Sequence, residues 1–479
     1  VMVGVEAGAP AGRILVCGDG LAARMTLAAL ARQLPPAMAI LWARGGRQDD
    51  SDLFYGNVTG PSAYAFNLSA GVDERQVMLD SATAFSWGTR YARWGGGRGW
   101  MQSFALPFPV MDGVQFHQYL SMGGADGIDP FVAGLQAARR GVFVHPPRAT
   151  GKGAVHPLSR AEYGYQFDPA DYARLFDVSD RVERVAGTIA SVMVAEGGIA
   201  GVAMDDGRVV TADLYVDVSG PAARLLSALS EDAAAGRRIA IAVSNLPDDD
   251  QAPLRTIRAT PDGWESDTPL KGRTRRTVVG APDSVEGAQA TLGRRSRAWV
   301  GNCVAIGQAA GVVEPLTPAP MLLLERDIER LLALIPVSAD RTVEAAEYNR
   351  RCAEDYDHAA LFQQAFFAAD GLPDGPYWQA ARAEAVPEKL ARKLTMFERR
   401  GVLVAYDLEP FHPEDWLILH FGLGHRPARH DPLAARADRG QVAMFLSNMA
   451  REIEQGVATL PPARVYRTQL EQYLRKAAS

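Results

Sequence analysis

Hydrophobic patterning begins at Arg13-Ile14-Leu15-Val16-Cys17, an apolar run without polar alternation, as a parallel strand covered on both faces requires. Gly18-Asp19-Gly20-Leu21-Ala22-Ala23 follows, and then Met25, Ala28, Ala29 and Leu34 recur on one helical face until Pro35-Pro36 stops the helix. A second apolar run over 39–42 completes a βαβ unit. Strands are predicted at 188–195, 199–204 and 209–212, separated by the turn signals Glu196-Gly197-Gly198 and Asp205-Asp206-Gly207. A further strand over 214–218 runs into Ser219-Gly220-Pro221. Residues 246–275, rich in Asp, Pro and Arg, read as mostly loop. The apolar segment 299–307 ends in Gln308-Ala309-Ala310-Gly311. Beyond it Met321, Leu324, Ile328, Leu331, Leu332 and Ile335 form a helical stripe closed by Pro336. From 340 onward the pattern is mainly helical, and no repeat or low-complexity tract interrupts it.

Composition places these elements in a folded globular protein. The 479 residues are 47% hydrophobic, 22% charged and 8% aromatic, enough for one large domain or two to three ordinary ones, and unlike a disordered, collagenous or coiled-coil chain. A net charge of −6 and a pI near 5.8 argue against a broad nucleic-acid footprint or a polybasic membrane patch. Three scattered cysteines (Cys17, Cys303 and Cys352) suit neither a disulfide framework nor a zinc site, so a reducing, cytoplasmic setting and no metal are expected. Val1–Glu6 lacks the basic start and apolar run of a signal peptide. No uncharged apolar stretch reaches the roughly 18–20 residues that span a bilayer. Of the basic residues 45 are arginine and five are lysine (Lys152, Lys271, Lys389, Lys393 and Lys476), with none before Lys152.

The Gly-X-Gly-X-X-Ala turn at 18–23 has a mechanical reading. Its first glycine permits the tight turn, the second lets backbone approach a pyrophosphate, and the small third residue packs helix on strand, with the helix N-terminus facing the phosphates. Placed between a strand and a helix, it passes the context test for a dinucleotide site. The acidic residue expected at the end of the second strand, to hold ribose hydroxyls, is replaced by Ala43, followed by Arg44.

Several segments together resemble the flavin-dependent halogenases of the tryptophan halogenase type. In chain order they are the Gly18–Ala23 turn; Gly56-Asn57-Val58-Thr59-Gly60-Pro61, similar to that family's Gly-Glu-Ala-Thr-x-Pro flavin loop; and Phe85-Ser86 with Trp87 and Trp94, similar to its Phe-Lys…Trp segment. Pro107-Phe108, Phe116-His117-Gln118-Tyr119, Tyr165-Gln166-Phe167-Asp168 and Asp217-Val218-Ser219-Gly220 follow. Asn302-Cys303-Val304-Ala305-Ile306-Gly307 and Val313-Glu314-Pro315-Leu316 form the most specific block; Tyr348-Asn349-Arg350, Trp378 and Trp416-Leu417 extend it. The resemblance covers roughly residues 13 to 435. It implies an α/β fold with a glutathione-reductase-type FAD-binding Rossmann domain over 1–340. Substrate-binding segments interleave at about 60–165 and 236–295, and a helical C-terminal part covers 341–479. The implied cofactor is FAD, received as FADH2 by diffusion from a separate flavin reductase. Its implied contacts are Gly18, Gly20, Ala22, Ala23, Val58, Thr59, Gly307, Gln308, Ala310 and Gly311.

In that family FADH2, O2 and halide yield hypohalous acid, which travels through a tunnel to a lysine beside the aromatic substrate, where a glutamate assists. The counterpart of the lysine is Ser86, which has no amine. The counterpart of the glutamate is Thr317, which offers no carboxylate. The halide is held partly by backbone N–H groups whose counterparts are Ala319 and Pro320, and proline has none. Of the Trp-x-Trp-x-Ile-Pro signature, Trp264 remains in Trp264-Glu265-Ser266-Asp267-Thr268-Pro269. The expectation is therefore a halogenase fold without halogenase chemistry: a flavin-dependent oxidoreductase or monooxygenase acting on an aromatic small molecule or peptide-borne side chain. Two rivals stand beside it, a non-catalytic binding protein on the same scaffold and a halogenase with relocated groups, for which Lys271 is the candidate. A homodimer is allowed for; no nucleic-acid or membrane partner is expected.

Other residues carry bland readings beside sharp ones. Pro318 and Pro320 suit helix initiation, and Ser86 and Thr317 read as plain hydroxyl replacements. Glu314 reads as an acceptor of backbone N–H groups or as a remaining acid/base group. Trp94-Gly95-Gly96-Gly97-Arg98-Gly99-Trp100 reads as a surface loop or as an anion nest. His117 and His156 lack metal spacing, and the glycines among His420, His425 and His430 suggest a loop rather than a metal-binding helix face.

Overall fold

A computed structural model describes residues 12–45, 51–94, 99–104, 107–122, 127–147, 156–178, 180–247 and 252–476. The Gly95–Arg98 part of the glycine loop and Lys152 lie outside the described residues. The chain divides into two compact units. The first comprises Val1–Ser81, Asp168–Ile241 and Gly287–Asp357, the second Ala82–Phe167, Ala242–Glu286 and His358–Ser479.

In the first unit the apolar run becomes strand β1, Arg13–Cys17, with Ile14, Leu15 and Val16 wholly buried. Helix α1, Gly20–Gln33, packs its Leu21, Met25 and Leu30 face inward, and β2, Ala39–Arg44, returns parallel to β1 with Val16 opposite Trp42. On the other side of β1 lies Leu214–Asp217, also parallel, and then Cys303–Ala305. The chain therefore steps in opposite directions from β1, which opens a crevice beyond the carboxyl ends of these strands, where doubly wound sheets take ligands. Val182–Ala195, Gly198–Met204 and Val209–Val210 extend the eight-stranded sheet on the β2 side. The expected 188–195 strand is thus longer, and 209–212 shorter. The 299–307 segment is a tight hairpin, Trp299–Val300 against Cys303–Ala305. The apolar stripe forms the helix Ala319–Ala333.

In the second unit, residues 246–275 are not mostly loop. Arg255–Thr260, Gly263–Leu270 and Arg273–Gly280 form an antiparallel meander, with Gly88–Ala92 parallel to the first of them. The charges that suggested loop are cross-strand partners. Asp267 receives Arg258 Nη1 at 2.6 Å and Arg276 Nε at 2.8 Å, while Ile257, Trp264 and Leu270 point into the core. Pro261 and Gly272 sit at the two turns, Pro261-Asp262 and Lys271-Gly272, while Pro269 lies within the middle strand.

His420 also departs from expectation: it lies in the helix Pro413–Gly422, buried and stacked on Phe397 with ring centroids 3.9 Å apart. Gly422 is there for close packing, since a Cβ on it would come within 2.2 Å of the Trp100 ring. His420 Nδ1 stands 3.1 Å from His425 Nδ1. Among the described residues, no group of three or more side chains is arranged to hold a metal ion, and no helix is long and apolar enough to cross a membrane.

Candidate functional site

The glycine turn forms where β1 ends. Gly18 has φ +151°, and a Cβ on it would lie 2.4 Å from the Val218 carbonyl oxygen. Gly18→Ala therefore adds a backbone clash to a conformation closed to L side chains. It is expected to cost at least about 3 kcal/mol, read as a lowered urea midpoint. Trp42 Nε1 donates to the Gly18 carbonyl at 2.9 Å, and the buried Ala22 and Ala23 bring the first turn of α1 against the sheet. At the end of β2, Ala43 is buried and Arg44 extends outward to Asp19, Nε to Oδ1 at 2.9 Å. A cation bound to the turn itself thus stands beside the position where a ribose-binding acid is expected.

The N-terminus of α1 already holds an anion. The Leu21 N–H donates to the Asp52 carboxylate, with Oδ1 and Oδ2 at 3.1 and 3.0 Å. A Cβ on Gly20 (φ +77°) would lie 2.4 Å from Asp52 Oδ2. Burial pushes the Asp52 carboxyl up to about 6; the Leu21 amide opposes this and Asp19 adds to it. At neutral pH the group is mainly ionised.

Asp52 lies in a short 3₁₀ segment, Ser51–Tyr55, which leads into the buried Val58 and Thr59. Its other end meets the second glycine-bearing turn: Gln308 N–H donates to the Tyr55 hydroxyl at 3.3 Å. Gly307 N–H donates to Asp327 Oδ2 at 3.0 Å, and the Tyr356 hydroxyl lies 2.8 Å from the Gly307 carbonyl and 3.1 Å from the same Oδ2. Asp327 in turn holds Arg330 Nη1 at 2.8 Å, and Arg330 also pairs with Asp355. Burial pushes the Asp327 carboxyl up to about 6 against the pull of Arg330. Ala310 N–H closes the turn on the Gly307 carbonyl at 2.9 Å. A cavity of about 290 Å³ opens beside Gln308 and Gly311, with Arg238, Arg295 and Thr291 on its wall. All ten residues expected to touch the cofactor thus belong to one unit. At the first turn the anion position is filled by Asp52, and at the second the Gly307 and Gln308 amides are taken by Asp327 and Tyr55.

The positions that the resemblance assigns to halogenation chemistry make other contacts here. Ser86, buried on the strand Ala84–Ser86, has its hydroxyl 3.2 Å from both the N–H and the carbonyl oxygen of Gly88. Thr317 Oγ1 accepts the Ala319 N–H at 3.3 Å, and Pro318-Ala319-Pro320 start the helix Ala319–Ala333. Of the two amides expected to hold halide, one is absent in Pro320 and the other faces Thr317. Glu314, wholly buried, is met by the guanidinium of Arg237. Lys271 Nζ lies 2.9 Å from both carboxylate oxygens of Glu471. Ser86 belongs to the second unit, Glu314 and Thr317 to the first.

The second unit holds a cavity of about 180 Å³. Phe104, Phe131, Met449 and Ile453 give it apolar walls, and Arg160 and Glu452 add charge. An apolar cavity of roughly 150 Å³ holds a benzene-sized ring, so this one fits a small aromatic group. Of its residues the sequence singles out Phe108, which stacks on Phe116 at 5.3 Å, and His156. The one local signal is Met449, Glu452 and Ile453 at helical spacing in Arg439–Ala458. Asp52 and Asp327 were missed as well, because their partners lie 31 and 20 positions away.

The family model described as tryptophan halogenase matches residues 13–439. Tryptophan 7-halogenase KtzQ of Kutzneria sp. (strain 744) is 25% identical, over 96% of this chain and 98% of its own. Among solved structures, BrvH, a flavin-dependent halogenase from Brevundimonas sp. BAL3, superposes with a TM-score of 0.86 at 26% identity, covering 96% of this chain and 99% of its own. Xcc4156, a flavin-dependent halogenase from Xanthomonas campestris, gives a TM-score of 0.86 at 26% identity, covering 96% and 98%.

Proposed function

The chain belongs to the tryptophan halogenase family, and we propose that within it the protein is a flavin-dependent oxidoreductase that oxygenates an aromatic substrate without using halide. One observation carries this reading: Ser86 stands where the family resemblance puts the lysine, buried, with its hydroxyl against Gly88. A serine there neither captures hypohalous acid as a chloramine nor orients it as a cation would. The Ala319 amide turned to Thr317 supports the same reading from the halide side.

Gly18, Gly20, Ala22, Ala23, Val58, Thr59, Gly307, Gln308, Ala310 and Gly311 would hold the flavin. Bound as FADH2, supplied by diffusion from a reductase, it provides the two electrons for reduction of O2. In the net reaction one oxygen atom enters the substrate as a hydroxyl and the other leaves as water. The Phe104–Phe131 cavity would take an aromatic ring, free or carried on a peptide, and Arg160 and Glu452 would orient its polar substituents.

The test supplies chemically reduced flavin and isotopically labelled O2 to the protein with a panel of aromatic compounds, with and without chloride and bromide. Product carrying one labelled oxygen atom, in unchanged yield without halide, is the expected result. A chlorine or bromine isotope pattern that needs halide would sink the proposal. A second reading, a non-catalytic aromatic-binding protein, is favoured by Asp52 at the N-terminus of α1; it requires that neither oxidised nor reduced flavin bind.

A further inference from the structure

Asp52 is a charged side chain set against the glycine turn that none of the chemistry above employs. We infer that Asp52 is an internal competitor for the flavin diphosphate, and that the cofactor binds only by displacing its carboxylate from the N-terminus of α1. This rests on the flavin reading above.

The N-terminus of a helix attracts an anion because its first N–H groups lack intrahelical partners and carry the positive end of the helix dipole. In this chain the Leu21 N–H already serves both carboxylate oxygens of Asp52. The space that the second glycine leaves free for a close-approaching phosphate is taken too, since the direction of the missing Gly20 Cβ points at the same carboxylate. A diphosphate and a carboxylate cannot share that position, because each is acceptor-only and both are negative. Asp19, one residue before Gly20, adds a second negative charge, partly offset by Arg44. The competitor is tethered: Ser51–Tyr55 also carries the hydroxyl that receives the Gln308 amide. A flavin that dislodges Asp52 therefore acts on a segment that touches both glycine-bearing turns.

The experiment titrates the full chain with FAD, with anaerobic FADH2, and with ADP as a diphosphate probe without the isoalloxazine ring. Binding is followed by calorimetry and flavin fluorescence in wild type, Asp52→Asn and Asp52→Ala. Asparagine keeps an oxygen that accepts the Leu21 N–H, so it removes charge with little change in the fold; circular dichroism and thermal midpoints check this for both variants. Asp52→Asn is expected to tighten all three ligands on the order of tenfold, and Asp52→Ala at least as much, while the exposed Asp283→Asn leaves them unchanged. If wild type and Asp52→Asn bind flavin equally well, the inference falls and the flavin reading stands. If neither binds flavin at millimolar concentration, both fall.

Discussion

Asp327→Ala is expected to destabilise the first unit by about 3–5 kcal/mol and to remove measurable flavin binding. The size follows from what the carboxylate holds. Asp327 is wholly buried and neutralises Arg330, whose side chain is 7% exposed. Removing one partner of a buried ion pair typically costs about 3–5 kcal/mol, because the other charge keeps its desolvation penalty. Asp355 still faces Arg330, but it is shared with Arg326, whose Nε is 3.1 Å away, so two guanidinium groups are left with one carboxylate. The Gly307 N–H also loses its acceptor, a further penalty of about 1–3 kcal/mol for a buried amide. The effect on flavin is separate in origin. Asp327 and Tyr356, themselves hydrogen-bonded, hold the two backbone polar groups of Gly307, so without the carboxylate the turn carrying Gln308, Ala310 and Gly311 loses its anchor. Asp327→Asn keeps an acceptor oxygen for Gly307 but not the charge, and should fall between wild type and alanine. Urea unfolding of the three proteins measures the order. A cost below about 1 kcal/mol for alanine would show that the network does not hold the unit together.

What could be read from sequence divides by how local the physics is. Strand β1, the glycine turn and α1 were legible because each depends on neighbours within a few positions: unbroken apolar residues, then two glycines, then a helical stripe ended by Pro35-Pro36. The meander over 255–280 was not, because its Arg and Asp residues look like loop chemistry until Arg258, Asp267 and Arg276 are brought side by side across three strands. His420 was misplaced for a related reason: Gly422 reads as a helix breaker, while its use is to let the helix approach Trp100. In the site, the family resemblance pairs Ser86 with the lysine and Pro320 with the halide-binding glycine residue by residue. That Asp52 folds back onto α1 required the tertiary structure. A carboxylate with no periodic pattern around it carries no sequence signal of the amide it will find.

Glu325→Gln is expected to make the protein more stable above neutral pH, by an amount that grows to on the order of 3–5 kcal/mol by pH 8. Glu325 lies on the buried face of the helix Ala319–Ala333 at 2% exposure, and the Ser62 hydroxyl donates to its Oε2 at 2.6 Å. Burial pushes its carboxyl up to about 8, the Ser62 hydrogen bond pulls it down, and Glu329 pushes it further up. The group is therefore neutral in the folded protein at pH 7 and ionised in the unfolded chain, whose glutamates titrate near 4.3. Between those two values the unfolded state releases a proton that the folded state keeps. Stability then falls by roughly 1.4 kcal/mol per pH unit, fully present below about 4.3 and lost as pH rises through 8. Glutamine keeps the shape of the neutral acid and a carbonyl that accepts from Ser62, but it has no proton to lose. Its unfolding free energy should match wild type near pH 4.5 and stay level where wild type declines. Ser62→Ala is the counter-case: losing a donor that favours the ionised form should raise the carboxyl further and carry the decline to higher pH at the same slope. Equal slopes for wild type and Glu325→Gln between pH 5 and 8 would mean that Glu325 is ionised in the folded protein, with a cationic partner or water reaching it along the helix.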